Sequence, residues 1–444
     1  MDSLETRVIH RDLRRTYPTL SRAEGVYYYD DAGNRYLDGS GASAAVTAIG
    51  HGVPEVIAAM VEQAQRVACA PTHAFTTEPI EACAQLIIEE FAPPEFGKVW
   101  FVSGGSEATD NAVKMAIQYQ RERGRGTKHL IIGRRQSYHG GTIAALAYGG
   151  NAGRRAPYSA ILPGAEHISA CNPYRDAAPD ARADELERAI LQLGADNVAA
   201  FIAEPFVGAT LGAMPASPGY FGRIREICDQ YDVLFIADEV MTGFGRTGKA
   251  WGLDHWGVTP DLITCAKGIS GGYAPLGAVL ARPEFVGEIR ARSGSFIVGH
   301  TASGNPLSTA IGVAVLQYIL DHDLIGNAAR VGGYLKAQLQ AMAEYHDIIG
   351  DVRGEGLLLG IELVIDREQK TPFPPAWGVG KRIAAATLER GLISYPGAGT
   401  VDGAVGDHLL YAPPLVLTEA QADELVAILD ESLRAVRAEL ARSC

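Results

Sequence analysis

Short apolar segments that alternate with helix-like segments dominate the middle of this chain and constrain its fold most. Five of them carry no charge beyond their first residue: residues 98–102, 129–132, 198–203, 233–237 and 262–266. The longer segments between them, such as residues 103–124, repeat apolar side chains every three or four positions, as amphipathic helices do. Buried strands that alternate with helices predict an α/β fold with a mainly parallel central sheet.

Polar side chains follow several of these apolar segments. Glu204, Asp238 and Lys267 each come immediately after one of them, and Tyr138 and His139 follow residues 129–132 after a short connection. Ligands of parallel α/β sheets bind at the carboxyl ends of the strands. We therefore expect these five side chains at one binding site.

Asp238 and Lys267, 29 residues apart in the chain, indicate the chemistry of that site. A lysine can form a Schiff base with an aldehyde, and a buried carboxylate can keep a pyridine nitrogen protonated. Pyridoxal phosphate needs both groups. Taken singly, Lys267 also fits a solvated lysine at a strand end, and Asp238 fits a helix cap or a metal ligand.

The glycine-rich run at residues 243–248 raises a second possibility, a nucleotide site. It matches G-x-G-x-x-G, and Gly248 with Lys249 nearly completes a P-loop. However, Ala250 replaces the Ser or Thr that a P-loop uses for Mg²⁺, and Gly252 interrupts the helix that a dinucleotide site requires. We expect a tight loop at this run, and a nucleotide-dependent enzyme is the least favoured alternative.

A phosphate site is predicted where residues 98–102 give way to the next helix. Gly105 allows close backbone approach, Ser106 can donate a hydrogen bond, and the start of a helix favours anions. The alternative is a common capped turn, because Ser103 with Ser106 or Glu107 resembles a capping box. Tyr138 offers a flat ring that can stack on a pyridine.

Composition excludes several classes of protein. The chain has 444 residues and a net charge of −13, which disfavours binding to nucleic acids or anionic membranes. No apolar run approaches the roughly 20 residues of a membrane span, and the N-terminus lacks a signal-peptide core. The six cysteines contain no C-x-x-C pair and no H-E-x-x-H motif is present, so we expect reduced thiols, a cytoplasmic location and no metal site.

The length predicts more than one domain. We assign residues 1–48 and 319–444 to a small α+β domain built from both termini, and residues 49–318 to a large cofactor-binding domain. Within these, residues 26–38 predict a hairpin and residues 419–441 an amphipathic final helix.

Taken together, the motifs of this chain resemble those of class III (ω-type) aminotransferases, which are fold type I enzymes dependent on pyridoxal phosphate. The similar stretches run in the family's order through most of the chain: SGGSEATDNAVKMA (103–116), SYHGGT (137–142), AEP (203–205), DEVMTGFGRTGKAW (238–251), AKGISGGYAPLGA (266–278), GHTASGNPLSTA (299–310), VRGEGLLLGIEL (352–363) and GDHLLYAPPLVLT (406–418).

The resemblance implies a role for each matching residue. Lys267 and Asp238 would be catalytic, the first as the Schiff-base lysine and proton carrier, the second as partner of the pyridinium nitrogen. The other implied cofactor-binding residues are Gly105 and Ser106 at the phosphate, Tyr138 and Val240 on the two ring faces, His139, Glu204 near the 3-hydroxyl, and Thr301.

Thr301 would reach the phosphate of a neighbouring subunit, so the resemblance implies a homodimer with shared active sites, and a tetramer is the alternative assembly. The implied reaction moves an amino group from an ω-amino acid or primary amine donor to a keto acid acceptor such as pyruvate. A decarboxylase, racemase or aminomutase on the same scaffold is the alternative enzyme, and a non-catalytic protein that binds pyridoxal phosphate is a further one.

The sequence departs from the family pattern at two places. Many members carry an arginine just before Gly-Asp-His, where it can hold a substrate carboxylate, but residues 402–405 contain none. Arg154 and Arg155 are candidate substitutes. Residues 41–45 are all small, which favours a roomy substrate pocket.

Overall fold

The computed structural model of the protein describes residues 6–443. Its strands are β1 (Leu20–Glu24), β2 (Tyr27–Asp30), β3 (Arg35–Asp38), β4 (Lys98–Val102), β5 (Leu130–Arg134), β6 (Glu166–Ile168), β7 (Val198–Ala203), β8 (Phe206–Val207), β9 (Met214–Pro215), β10 (Leu234–Asp238), β11 (Leu262–Cys265), β12 (Gly277–Ala281), β13 (Ile349–Glu355), β14 (Leu358–Asp366), β15 (Thr371–Pro372), β16 (Leu392–Ile393), β17 (Tyr395–Ala398) and β18 (Asp407–Tyr411).

The α-helices are α1 (Pro54–Arg66), α2 (Glu78–Leu86), α3 (Gly105–Glu122), α4 (Ile143–Tyr148), α5 (Ala152–Arg155), α6 (Asp184–Leu193), α7 (Tyr220–Tyr231), α8 (Pro283–Ala291), α9 (Pro306–Asp321), α10 (Leu324–Tyr345), α11 (Val379–Glu389) and α12 (Glu419–Ser443).

A seven-stranded sheet forms the centre of the molecule, in the order β4-β12-β11-β10-β7-β5-β6. β11, β10, β7, β5 and β6 pair in parallel, whereas β12 is antiparallel to both of its neighbours, β11 and β4. The prediction of an α/β fold with a mainly parallel sheet is therefore confirmed. The antiparallel strand β12 was not predicted.

The central strands are apolar throughout because both faces of the sheet are covered. Along β7 and β10 every residue is buried. Phe201 and Phe235 pack into one core, and Ile202 and Ile236 pack into a second core on the opposite face, as the alternation of strand side chains requires. The sheet is thus held on both sides, and its strand ends are fixed in position.

Two smaller sheets flank the central one. The first has the order β1-β2-β3-β16, and it includes the predicted hairpin, with β2 antiparallel to β3. The second contains β13, β14, β18 and β17, with β15 at the side of β14. Because β3 pairs in parallel with β16, the N-terminal segment joins a sheet with a strand from late in the chain. The proposed boundaries of the small domain stay a prediction.

The glycine-rich run at residues 243–248 forms turns and starts no helix, as predicted. Gly245 and Gly248 adopt φ angles of +98° and +81°, which only glycine adopts readily. A Cβ at Gly248 would also lie 2.8 Å from the side chain of Ala329 on α10. These glycines therefore serve the path of the chain and its packing.

Candidate active site

A cavity of about 190 Å³ lies at the carboxyl ends of the central parallel strands. It brings together eight of the nine predicted site residues. Its lining consists of Gly105, Ser106, Tyr138, His139, Gly140, Glu204, Phe206, Ala209, Asp238, Val240, Met241, Ala266 and Lys267. Three larger cavities, of about 310, 680 and 740 Å³, lie elsewhere and are lined by none of the predicted site residues.

Asp238 and Lys267 reach this cavity from neighbouring strands. Asp238 is the last residue of β10, where it pairs with Thr264 of the parallel strand β11. Lys267 lies two residues beyond β11, at the start of a short 3₁₀ turn, with a φ of +49°. This left-handed conformation is uncommon for a residue with a side chain, and such residues cluster at functional sites. The turn directs the chain away from the sheet at the point where the amine is delivered.

Burial lowers the pKa of the Lys267 ammonium to about 8, although the carboxylates of Asp238 and Glu204 act in the opposite direction. An amine in an enclosed site loses hydration that its charged form needs. Near pH 7 the neutral fraction of the Lys267 amine is consequently larger than that of an ordinary lysine. The neutral amine is the form that acts as a nucleophile or a base.

The Asp238 carboxylate is held by two hydrogen bonds. Its Oδ2 lies 2.6 Å from Nδ1 of His139, and its Oδ1 accepts from the backbone N–H of Val240 at 3.0 Å. Both side chains of the His139–Asp238 pair are almost completely buried. His139 Nε2 is buried and has no hydrogen-bond partner among the residues that the structure describes. The pair fixes the orientation of the carboxylate toward the cavity.

The start of α3 forms another wall of the cavity. The helix begins at Gly105, and no side chain caps its first turn. Ser106 Oγ accepts from the backbone N–H of Gly141 at 2.9 Å, and Glu107 accepts from Ser103 N–H, so one half of the predicted capping box is present. Uncapped N–H groups at a helix start are suited to bind a phosphate.

Glu204 closes the cavity beside Tyr138. Its two carboxylate oxygens accept from the backbone N–H groups of Tyr138 at 3.0 Å and Gly208 at 3.1 Å. Burial raises the pKa of this carboxyl, with the Asp238 charge adding in the same direction. Through its two hydrogen bonds, the Glu204 carboxylate holds in place the segment that carries the Tyr138 ring.

Thr301 does not line the cavity. It lies in a turn that precedes α9, and its side chain is exposed. The neighbouring His300 contacts Asn111 of α3, with 2.8 Å between His300 Nε2 and Asn111 Nδ2. The predicted role of Thr301 at a neighbouring subunit's phosphate stays a prediction.

Four lining residues with side chains were not singled out in the sequence: Phe206, Ala209, Met241 and Ala266. Each lies within a few positions of a predicted strand-end residue. Their closeness in sequence to Glu204, Asp238 and Lys267 was the available signal that they line the site. It was not sufficient, because an apolar side chain does not by itself indicate any chemistry.

Among residues 6–443 there is no cluster of His, Cys, Asp and Glu side chains that could hold a metal ion. No helix in this part of the chain is long and apolar enough to cross a membrane.

Comparison with known proteins identifies the family. The model of aminotransferase class III matches residues 9–433. The chain is 40% identical to an uncharacterized aminotransferase of Bacillus subtilis, YodT, over 98% of both chains. A solved (S)-enantioselective ω-transaminase from Thermomicrobium roseum is 35% identical, with a TM-score of 0.90 over 98% of this chain and 97% of that one.

The ω-transaminase of Pseudomonas jessenii, solved in complex with PMP, is 31% identical, with a TM-score of 0.91 over 98% of this chain and 97% of that one. Both the family match and the structural similarities extend over nearly the whole chain. This chain belongs to the class III aminotransferases.

Proposed function

We propose that this aminotransferase moves an amino group from an ω-amino acid or another primary amine to a keto acid such as pyruvate, with pyridoxal phosphate as cofactor. The observation that carries the proposal is the delivery of Lys267 and Asp238 from neighbouring strands into one cavity. The ω-transaminases of similar structure, one of them complexed with PMP, support the substrate class and the cofactor.

The residues of the cavity fit pyridoxal phosphate. An uncapped helix start with Ser106 suits the phosphate, and the Lys267 amine suits the aldehyde. The carboxylate of Asp238 suits the ring nitrogen, and its buried charge would gain a counter-ion there. Tyr138 and Val240 would enclose the ring between them.

Each of these residues has a task in the proposed reaction. When bound, the protonated cofactor ring supplies the electron sink for cleavage of a bond at the substrate carbon. Asp238, held by His139 and the Val240 N–H, would keep the ring nitrogen of a bound cofactor protonated. Lys267 would hold the cofactor through its amine, and once a donor amine has displaced it, the freed amine would carry the proton between the substrate carbon and the cofactor.

Replacement of Lys267 tests the catalytic assignment. Lys267→Ala should abolish turnover and remove the borohydride-sensitive visible absorbance of the holoenzyme. Lys249→Ala is the matched control, because Lys249 is exposed and lies in the same glycine-rich region. Retention of turnover by Lys267→Ala would refute the mechanism.

The reaction class is tested by single-turnover chemistry with an amine alone. A transaminase converts its bound aldehyde cofactor to the aminated form and releases a carbonyl product without gas. Release of carbon dioxide would identify a decarboxylase, and product retaining the amino group would identify a racemase or aminomutase. A panel of amines with pyruvate and 2-oxoglutarate then defines donor and acceptor.

A homodimer with shared sites is the proposed assembly. The cavity of about 680 Å³ is lined by aromatic residues that include Phe75, Trp100 and Phe296, and it borders the turn that carries Thr301. Ile297 beside it is 77% exposed. Exposed apolar surface of this kind is typical of an interface, and a second copy placed there would bring Thr301 toward the neighbouring cavity.

Mixed dimers test this assembly. Thr301→Ala should weaken cofactor binding, and Lys267→Ala should be inactive. If sites are shared, mixing the two variants assembles one site that has both Lys267 and the partner's Thr301, so activity should recover. No recovery in mixed dimers, with stable subunit exchange shown by mass spectrometry, would contradict the shared site.

A further inference from the structure

The residues that line the cavity offer no free cationic side chain to pair with the carboxylate of a keto acid. Lys267 is the one lysine or arginine among the lining residues, and the proposed reaction uses its amine. The other ionisable lining groups include the carboxyls of Asp238 and Glu204. A keto acid therefore needs a cation at the rim, an argument that rests on the proposed function.

Most arginines near the site are already engaged. Arg246 donates to backbone carbonyls, among them that of Leu357 at 3.0 Å, and Arg353 pairs with Glu362 at 2.7 Å. Arg175 pairs with the same carboxylate, and Arg134 donates to the backbone carbonyl of Glu204 at 2.5 Å. Moving any of them would leave buried polar groups unpaired, which is costly.

Arg154 is different. Its guanidinium carbon lies 4.4 Å from the centre of the Tyr138 ring, and Tyr138 lines the cavity. The side chain is half-buried, and its guanidinium makes no hydrogen bond or ion pair within residues 6–443. A guanidinium that lies over an aromatic ring can still use its N–H donors for a carboxylate, which arginine binds in a bidentate manner.

The fold holds Arg154 beside the loop that lacks an arginine. Arg154 lies on the short helix α5, where its backbone N–H is capped by Asn151 Oδ1 at 3.0 Å. The loop at residues 399–406 packs against this helix, since a Cβ at Gly403 would lie 3.8 Å from Ala152 Cβ. An arginine on α5 therefore reaches the same side of the site as that loop.

We propose that Arg154 is a specificity-determining residue that binds the carboxylate of the keto acid acceptor at the rim of the cavity, above Tyr138. Its neighbour Arg155 faces elsewhere, because it lines the separate cavity of about 740 Å³. The same guanidinium binds the carboxylate of amino acid donors, whereas donors that are simple amines do not use it.

A pair of nearly isosteric acceptors tests the proposal: pyruvate, which is charged, and pyruvamide, which is neutral. The assay measures kcat/KM for the return of the aminated holoenzyme to its aldehyde form, together with cofactor absorbance and thermal unfolding. Arg154→Gln should lower kcat/KM for pyruvate by about 10- to 100-fold, the range for loss of a charge-assisted hydrogen bond, and leave pyruvamide nearly unchanged.

Arg154→Lys should recover part of the loss, since it restores the charge without the fork, and Arg155→Gln is the matched control that should behave as wild type. An equal loss for both acceptors would assign Arg154 to support of the Tyr138 ring and overturn the proposal, as would an unchanged rate for pyruvate. A wild-type enzyme that no amine converts to the aminated form would instead refute the proposed function itself.

Discussion

The depressed pKa of Lys267 leads to a prediction about its reactivity in the cofactor-free protein. With a pKa of about 8, roughly 9% of the amine is neutral at pH 7, compared with about 0.03% for a lysine of pKa 10.5. Asp238→Asn removes a carboxylate that stabilises the ammonium, so the pKa should fall further below 8. Asp402→Asn, in an exposed loop, should leave it unchanged.

The pKa of Lys267 is measured by competitive labelling of the cofactor-free protein with acetic anhydride between pH 6 and pH 11. Peptide mass spectrometry reports the labelling of each lysine. Nα-acetyl-lysine added to the same tube gives the reference for a solvated amine. The midpoint for Lys267 should lie near pH 8 and move down in Asp238→Asn. A midpoint near pH 10, or an upward shift in the variant, would refute the electrostatic reasoning.

Two further predictions concern packing and buried charge. Gly140→Ala should weaken pyridoxal phosphate binding by about tenfold or more, because its Cβ would lie 2.5 Å from Ser106 Oγ at a φ of +144°. Gly141→Ala, whose Cβ would meet only the Tyr138 hydroxyl at an ordinary 4.0 Å, should bind the cofactor normally in a fluorescence titration. Burial raises the pKa of Glu239 to about 7, so this carboxyl binds its proton more tightly in the folded than in the unfolded chain. The free energy of unfolding should therefore fall by about 3 kcal/mol as the pH rises from below 4.5 through 7. Glu239→Gln should remove that loss, and an unchanged pH dependence of its melting temperature relative to wild type would contradict the assignment.

The parallel sheet could be predicted because burial on both faces demands apolar segments without alternation. The residues of β4 and β7 matched the predicted segments, and β5 differed by one to two residues at its ends. β12 was missed because the apolar segment 277–281 follows a glycine-rich stretch, and nothing local distinguishes an antiparallel strand inserted between β4 and β11. The pairing of β3 with β16 was equally invisible, since it joins segments far apart in the chain.

The sequence by itself was sufficient to recognise the family, and it predicted the chemistry of the site. Asp238 and Lys267 each follow an apolar segment, and ligands of parallel sheets bind at the carboxyl ends of the strands, so the pair could be predicted to share one site without coordinates.

The tertiary structure decided which groups meet. His139 reaches Asp238 across 99 positions of sequence, the Arg154 guanidinium lies over the Tyr138 ring, and Thr301 lies outside the cavity of its own chain. Local pattern encodes which side chains are buried and where strands end. Contacts between distant segments depend on how sheet, helices and loops pack, which no local pattern specifies.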